Sequence, residues 1–294
     1  MKIATVSEIW RYPVKSLGGE SLQTAHLHTM GLIGDRSWAV VDQETKEITS
    51  AKRYPRLLEA SASYESFGLS EWLYDSDIPN AVLKFGNGDC ADSRSTEAAR
   101  LISELIGRSV KLVPLQNPQN SEHYRSKQTI DSEEFSRQMN INPGEDIPSF
   151  DNIDKSLMAA LAKNSTPPGT HVDCYPLHIL STSSLKRLQQ DGGGEASPKR
   201  FRPNLILEPT DNRVGYSEFK WVGKTFKIGS AIVKIDAETV RCSMPARPQP
   251  LYHLPPAPEV SKALYKNTER NLGVYVLIEQ PGIISLGDDV TVIN

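Results

Sequence analysis

Cys242 closes the strand-like run Ile232–Val240, with Arg241 directly before it and the proline-rich segment Ser243–Pro250 directly after it. A thiol at a strand end beside a fixed positive charge can ionise. Thiolate is the form that binds a soft metal or attacks an electrophile. The plainer alternative is a buried free cysteine that packs as a small hydrophobe. Lys15 and Ser16 fall in the turn after Tyr12-Pro-Val14, Arg36 ends Gly34-Asp-Arg36 at a strand entry, and Arg202 lies in Lys199-Arg-Phe-Arg-Pro-Asn204 at another. Singly, each charge reads as solvated surface. Collected at one mouth, they would hold a phosphate or pyrophosphate, because arginine's planar fork matches its oxygens. Ser181-Thr-Ser-Ser184 before Leu185-Lys-Arg-Leu188 is a second anion candidate. Hydroxyls there can also do no more than cap a helix start, which is the simpler reading.

Other chemistries lose support. Cys90, Cys174 and Cys242 are odd in number and far apart, and fit neither a disulfide framework nor a Cys-x-x-Cys metal pattern. His26 and His28 share one strand face that should meet solvent, and His178, inside an apolar strand, reads as a core residue rather than a ligand. Pro176 interrupts any helix that would align Cys174 with His178. No Walker A loop, strand–helix Gly-x-Gly-x-x-Gly or Gly-x-Ser-x-Gly elbow is present. A net charge of −3 makes no general call on nucleic acid or an anionic membrane. The start lacks a signal-peptide apolar stretch and no run reaches membrane-span length. With scattered free thiols, a reducing cytoplasm is the expected location.

The elements that must position these residues read as a β-dominated α+β fold in two lobes, 1–118 and 119–294. Strands are expected at Lys2–Tyr12, Ser37–Asp42, Ala81–Phe85, Cys90 onward and Val110–Leu115, with a hairpin at Gly86-Asn-Gly-Asp89. Ser95–Ile106 has helical periodicity, with Thr96 as the expected cap. The stretch 116–169 is polar and proline-punctuated, with one helix at Asp154–Lys163, and connects the lobes. Strands follow at Pro176–Leu180, Pro203–Leu207, Thr225–Ile235, Gly273–Glu279 and Val290–Ile293, with a helix from about Ser183.

Taken together, Tyr12-Pro-Val-Lys-Ser16, Met30-Gly-Leu-Ile-Gly-Asp-Arg-Ser-Trp38, Pro168-Gly-Thr170 with Asp173, Pro176-Leu-His-Ile-Leu180, Arg200-Phe-Arg-Pro-Asn204, Arg241-Cys242, Asn271-Leu-Gly-Val-Tyr275 and Pro281-Gly-Ile283 resemble the MOSC family. That family is the molybdenum-cofactor sulfurase C-terminal fold, here preceded by its N-terminal β-barrel partner. The two-domain form is similar to the mitochondrial amidoxime-reducing components and their bacterial relatives. The resemblance implies an N-terminal β-barrel-like lobe and a C-terminal MOSC β-barrel with peripheral helices. It implies molybdenum cofactor (molybdopterin with Mo), a metal bound by Cys242 as the catalytic ligand, and cofactor contacts at Lys15, Ser16, Arg36, Asp173, Arg202, Asn204 and Arg241. The implied activity is reduction of N-hydroxylated compounds or N-oxides, with a small N-oxygenated substrate and a separate flavin or iron–sulfur electron-donor protein as partners. No nucleic-acid or membrane partner is implied. The loop Ser243–Pro250 departs from the Thr-Thr-Val-Asp-Pro-type loop of the amidoxime reducers, and Cys174 and Tyr175 replace small hydroxyl residues. Arg247 in that loop reads as solvated rather than as an anion reader. A non-catalytic carrier of the cofactor or of activated sulfur, and a plain anion-binding module with a structural cysteine, stand as alternatives.

Overall fold

The computed structural model describes residues 1–65, 71–126 and 130–293. The chain opens with β1 (Lys2–Arg11), β2 (Glu20–Leu22), β3 (Thr24–His28), β4 (Gly31–Leu32) and β5 (Trp38–Asp42). β6 (Ala60–Ser63), β7 (Val82–Phe85) and β8 (Cys90–Asp92) make an antiparallel sheet whose last two strands turn at Gly86–Asp89. α1 (Thr96–Ile106) leads into β9 (Val110–Pro114), which pairs with β5. Ser95, not Thr96, caps α1, because its hydroxyl is the one that reaches the Ala98 N–H.

The connecting stretch holds more helix than its composition suggests: α2 (Ser121–Tyr124), α3 (Ser132–Met139) and α4 (Lys155–Leu161). Asp131 and Asp154 start the latter two by accepting backbone N–H groups. Next come β10 (Leu177–Ser181), α5 (Thr182–Gln190), β11 (Leu205–Pro209), β12 (Thr225–Ile228) and β13 (Ala231–Val240). The single strand expected over Thr225–Ile235 is therefore a hairpin, turned by Gly229-Ser230. α6 (Pro258–Thr268) precedes β14 (Asn271–Gln280), β15 (Gly282–Ser285) and β16 (Asp289–Val292). The proline at the first turn of α6 and its buried Val260, Ala263 and Leu264 are a helix start and face that the sequence reading passed over.

β11, β10, β14, β13, β12, β16 and β1 pair in that order, and β1 returns to β11, closing a seven-stranded barrel. Only β10–β11 is parallel among these pairs. Closure leaves no unpaired edge. The first strand of the chain is thus a stave of a barrel whose other staves all follow residue 176. In β13, Ala231, Val233, Ile235 and Ala237 are fully buried while Ile232, Lys234, Asp236 and Glu238 are not, as a two-residue repeat demands. Ala231, Val233 and Ile235 join Val6, Ile9, Leu177, Leu205, Val274 and Val290 in the barrel core. Each such side chain contributes roughly 1.5–3 kcal/mol by leaving water. Val14, Leu17, Trp38, Leu57, Leu83 and Ile102 make a second core beneath α1, and α5 and α6 pack Leu188, Val260 and Leu264 against Phe201 and Leu272. No helix among the described residues is long and apolar enough to cross a membrane.

Candidate functional site

Beyond the end of β13, where Thr239 and Val240 meet the turn after β1, lies a cavity of about 240 Å³. Lys15, Ser16, Arg36, Asp173, Arg202, Asn204, Arg241 and Cys242 all line it. They come from five separate stretches of chain, and barrel closure is what joins them. Ser16 (φ 73°), Arg36 (φ 48°) and Arg202 (φ 54°) hold left-handed backbone. That conformation costs a residue with a Cβ about 1–2 kcal/mol. Glycine would adopt it freely.

The electrostatics are cationic and strongly coupled. Lys15 Nζ donates to the His171 carbonyl at 3.0 Å and pairs with Asp173 Oδ1, while Lys52 Nζ lies 3.0 Å from Asp173 Oδ2. Burial favours the neutral carboxyl, but Lys15 and Lys52 outweigh it and hold Asp173 well below the ordinary carboxylate range. Lys15 is the more buried ammonium, and burial pulls it down despite Asp173; Lys52, more open, is pushed up by Asp173. The guanidinium carbons of Arg36 and Arg202 sit 4.6 and 4.2 Å from the Tyr12 ring centroid. Arg36 pairs with Asp35. Arg202 Nη1 donates to the Leu17 carbonyl at 2.6 Å, yet its Nη2 is buried with no acceptor among the described residues. Arg241 Nη2 donates to the Phe201 carbonyl at 2.8 Å, and its Nε is likewise buried without an acceptor. Burial lowers both guanidinium pKa values, with Arg36 adding repulsion at Arg202 and Cys242 opposing the fall at Arg241. Unmatched buried N–H donors are costly. An anion with several oxygens would remove that cost.

The remaining expected positions are placed as follows. Ser16 Oγ accepts the Ala51 N–H at 3.0 Å and keeps its own proton to donate. Asn204 spends its amide on backbone, accepting from the His178 N–H and donating to the Trp10 carbonyl, both at 3.3 Å. It thereby ties β1 to β10 at the start of β11. Cys242 is partly exposed at the cavity, and the segment after it is clamped. Arg200 donates to the carbonyls of Pro245, Arg247 and Pro255 at 3.3, 3.3 and 2.9 Å. The Ser243 N–H reaches the Gln138 carbonyl at 2.8 Å. Arg247 is not among the cavity-lining residues.

Lys52, His171, His178, Arg200 and Thr239 were not legible as site residues. His178 is the clearest correction: it is buried as expected, but it faces the cavity, with Nε2 3.4 Å from Arg241 Nη1. Burial and the neighbouring arginines keep it neutral, so it can accept from Arg241. Gly273, in left-handed backbone (φ 80°), leaves room for the ring, since a Cβ there would stand 2.2 Å from His178 Nε2. Ser181-Thr-Ser-Ser184 follows the simpler reading. Ser181 caps α5, and both Ser181 and Ser184 donate to the buried Glu218 side chain, so their hydroxyls are already spent within the chain. His26 and His28 do share the half-exposed face of β3, where His28 stacks on Trp72.

Residues 167–291 match the MOSC domain and residues 3–108 match the MOSC N-terminal beta barrel domain. This chain belongs to the MOSC family. The chain is 25% identical to mitochondrial amidoxime reducing component 2 of Bos taurus, over 98% of this chain and 83% of that protein. It is 24% identical to mitochondrial amidoxime-reducing component 1 of Homo sapiens, with the same two coverages, 98% and 83%. It is also 24% identical to molybdenum cofactor sulfurase of Botryotinia fuckeliana, over 81% of this chain but 34% of that protein.

Proposed function

We propose that this cavity holds molybdenum cofactor, a pterin dithiolene ending in a phosphate, and that the chain is an oxidoreductase acting on N-hydroxylated compounds or N-oxides. One observation carries the reading. Cationic side chains from the first 52 residues and from residues 202 and 241 converge beside a partly exposed cysteine, with two buried arginine donors left without acceptors. That donor set fits an oxyanion tail, and the thiol fits a soft metal. When bound, the cofactor supplies a metal centre that accepts and returns electrons.

The chain's own residues do the rest. Arg36, Arg202 and Arg241 hold the acidic tail, with Tyr12 keeping the first two in place. Lys15, Lys52 and Asp173 form a fixed ion cluster beside it, and Ser16 Oγ offers a donor. Cys242 ligates the metal as thiolate, because a coordinating thiol is deprotonated. Arg200 fixes the loop that carries it. Cleavage of an N–O bond consumes two electrons and two protons and releases water, leaving an N–H product from an N-hydroxylated compound or the free amine from an N-oxide. Burial pushes the Cys174 thiol up to about 12 and raises the Tyr275 phenol well above its usual range, so both line the cavity as protonated groups. Electrons come from a separate flavin or iron–sulfur protein, and the chain works in the cytoplasm. The division into 1–118 and 119–294 is part of the proposal; β1, from the first part, is a stave of the barrel.

The relatives named for amidoxime reduction support the reading along nearly the whole chain. The test is to purify the chain from a host that makes the cofactor, measure molybdenum and pterin, and assay benzamidoxime reduction with an artificial reductant. About one metal per chain with turnover, and turnover lost in Cys242→Ala, is the expected result. Cofactor that passes quickly to an apo-enzyme without any turnover would instead make the chain a carrier. Metal-free protein would refute both.

A further inference from the structure

Two chemically different linings meet in the cavity. The cationic lining comes from segments within the two family matches, 3–108 and 167–291. Residues 109–166 lie between those matches, and among the described residues of that stretch the cavity is lined by Met139, Phe150, Ile153, Met158 and Leu161. Every one is apolar. Met139 and Ile153 are buried, and the other three are half-buried. This wall is tied to the cysteine loop, because the Ser243 N–H bonds the carbonyl of Gln138, the residue before Met139. Met244, two residues after Cys242, is buried and lines the cavity as well.

We infer that residues 139–161 are the specificity wall of this site, and that they select substrates bearing the N–O group on an aromatic body. The inference rests on the proposed function and adds a substrate class to it. The argument is chemical. The charged side chains, which suit the cofactor's acidic tail, all come from the matched segments, which also bring Tyr175, Phe201 and Tyr275; residues 139–161 add only apolar surface for an organic body. The apolar wall offers an arene ring, two thioethers and two branched side chains. Thioether–ring contacts and ring–ring contacts both favour an aromatic guest beyond its area burial. A charged substrate would meet no partner on this wall.

The test uses cofactor-loaded protein, the variants Phe150→Ala, Met158→Ala and Phe150→Leu, and two probes, benzamidoxime and hydroxylamine. Steady-state kinetics are combined with calorimetric binding of benzamidoxime to the oxidised protein. Lost apolar contacts in a pocket cost about 10–200-fold. Phe150→Ala should therefore lose at least about tenfold more in kcat/KM for benzamidoxime than for hydroxylamine. The loss should sit in KM and be matched by the calorimetric Kd, and Phe150→Leu should recover part of it. Equal losses for both probes, or no loss for either, with metal content intact, would overturn the wall while leaving the proposed function standing. Wild-type protein that carries no molybdenum and reduces neither probe would remove both, and metal analysis tells the two failures apart.

Discussion

Replacing Arg202 by Met should change the empty protein little and weaken the loaded one. In the empty chain the Leu17 carbonyl loses its 2.6 Å donor. That costs about 0.5–1.5 kcal/mol. The contact with the Tyr12 ring, at 4.2 Å, is lost too. That adds about 0.5–2 kcal/mol. Against these, a buried cation beside a second cation, Arg36, disappears together with its unmatched Nη2. Exchanging buried charge for apolar volume is often neutral or stabilising by about 1–4 kcal/mol. These opposed terms nearly cancel, so urea unfolding of the empty variant should shift by less than about 2 kcal/mol. In the loaded protein a charge-assisted hydrogen bond is lost, about 1.5–3 kcal/mol. That is about 10- to 150-fold in cofactor affinity. The assay pairs urea melts of cofactor-free protein with cofactor retention on dilution and gel filtration. A variant that loses more than about 3 kcal/mol when empty yet retains cofactor like wild type would make Arg202 a structural strut and refute the reasoning.

Two further outcomes follow from buried titratable groups. His171 Nδ1 donates to the Arg36 carbonyl at 3.0 Å, so its Nε2 accepts from His123 Nε2–H at 2.9 Å. Burial pushes His123 down to about 4 and His171 well below its usual range. The unfolded chain therefore binds more protons below about pH 6.5, and stability should fall as pH drops from about 6.5 to 4, by up to about 1.4 kcal/mol per pH unit for each ring. His123→Gln should remove one ring's share of that slope in pH-dependent urea melts, and an unchanged slope would contradict the assignment. Glu218 is raised by burial, so its stabilising share is full at low pH and lost as pH rises through its folded pKa. Glu218→Gln keeps an acceptor for Ser181 and Ser184 and should leave stability at pH 7 unchanged or higher, whereas a clear loss would show that the charged form is required.

Residues that act through their own charge or sulfur could be read from the chain, because turns and strand ends announce where they sit. Cys242 after β13, Arg36 before β5 and Arg202 before β11 are of this kind. Their convergence could not be read, since it depends on β1 pairing with β11 across about 200 residues of sequence. Lys52 escaped because Ser50-Ala-Lys52 lies in no strand or helix, and its partner Asp173 comes from a distant stretch of the chain. Asn204 illustrates the opposite error of emphasis. It lines the cavity, yet its amide already serves the backbone of Trp10 and His178. α3 and α6 were missed because polar and proline-rich sequence masks short amphipathic faces. The apolar wall, to which α3 gives Met139 and α4 gives Met158 and Leu161, is scattered over positions 139–161, and only tertiary packing gathers it at the cysteine loop.

The central claim concerns one bond, between the Cys242 sulfur and a metal. Molybdenum-edge X-ray absorption on cofactor-loaded wild type and Cys242→Ser examines that bond directly. The account predicts that the variant loses a sulfur neighbour of the metal relative to wild type. Identical sulfur shells in the two proteins, at equal metal content, would contradict it.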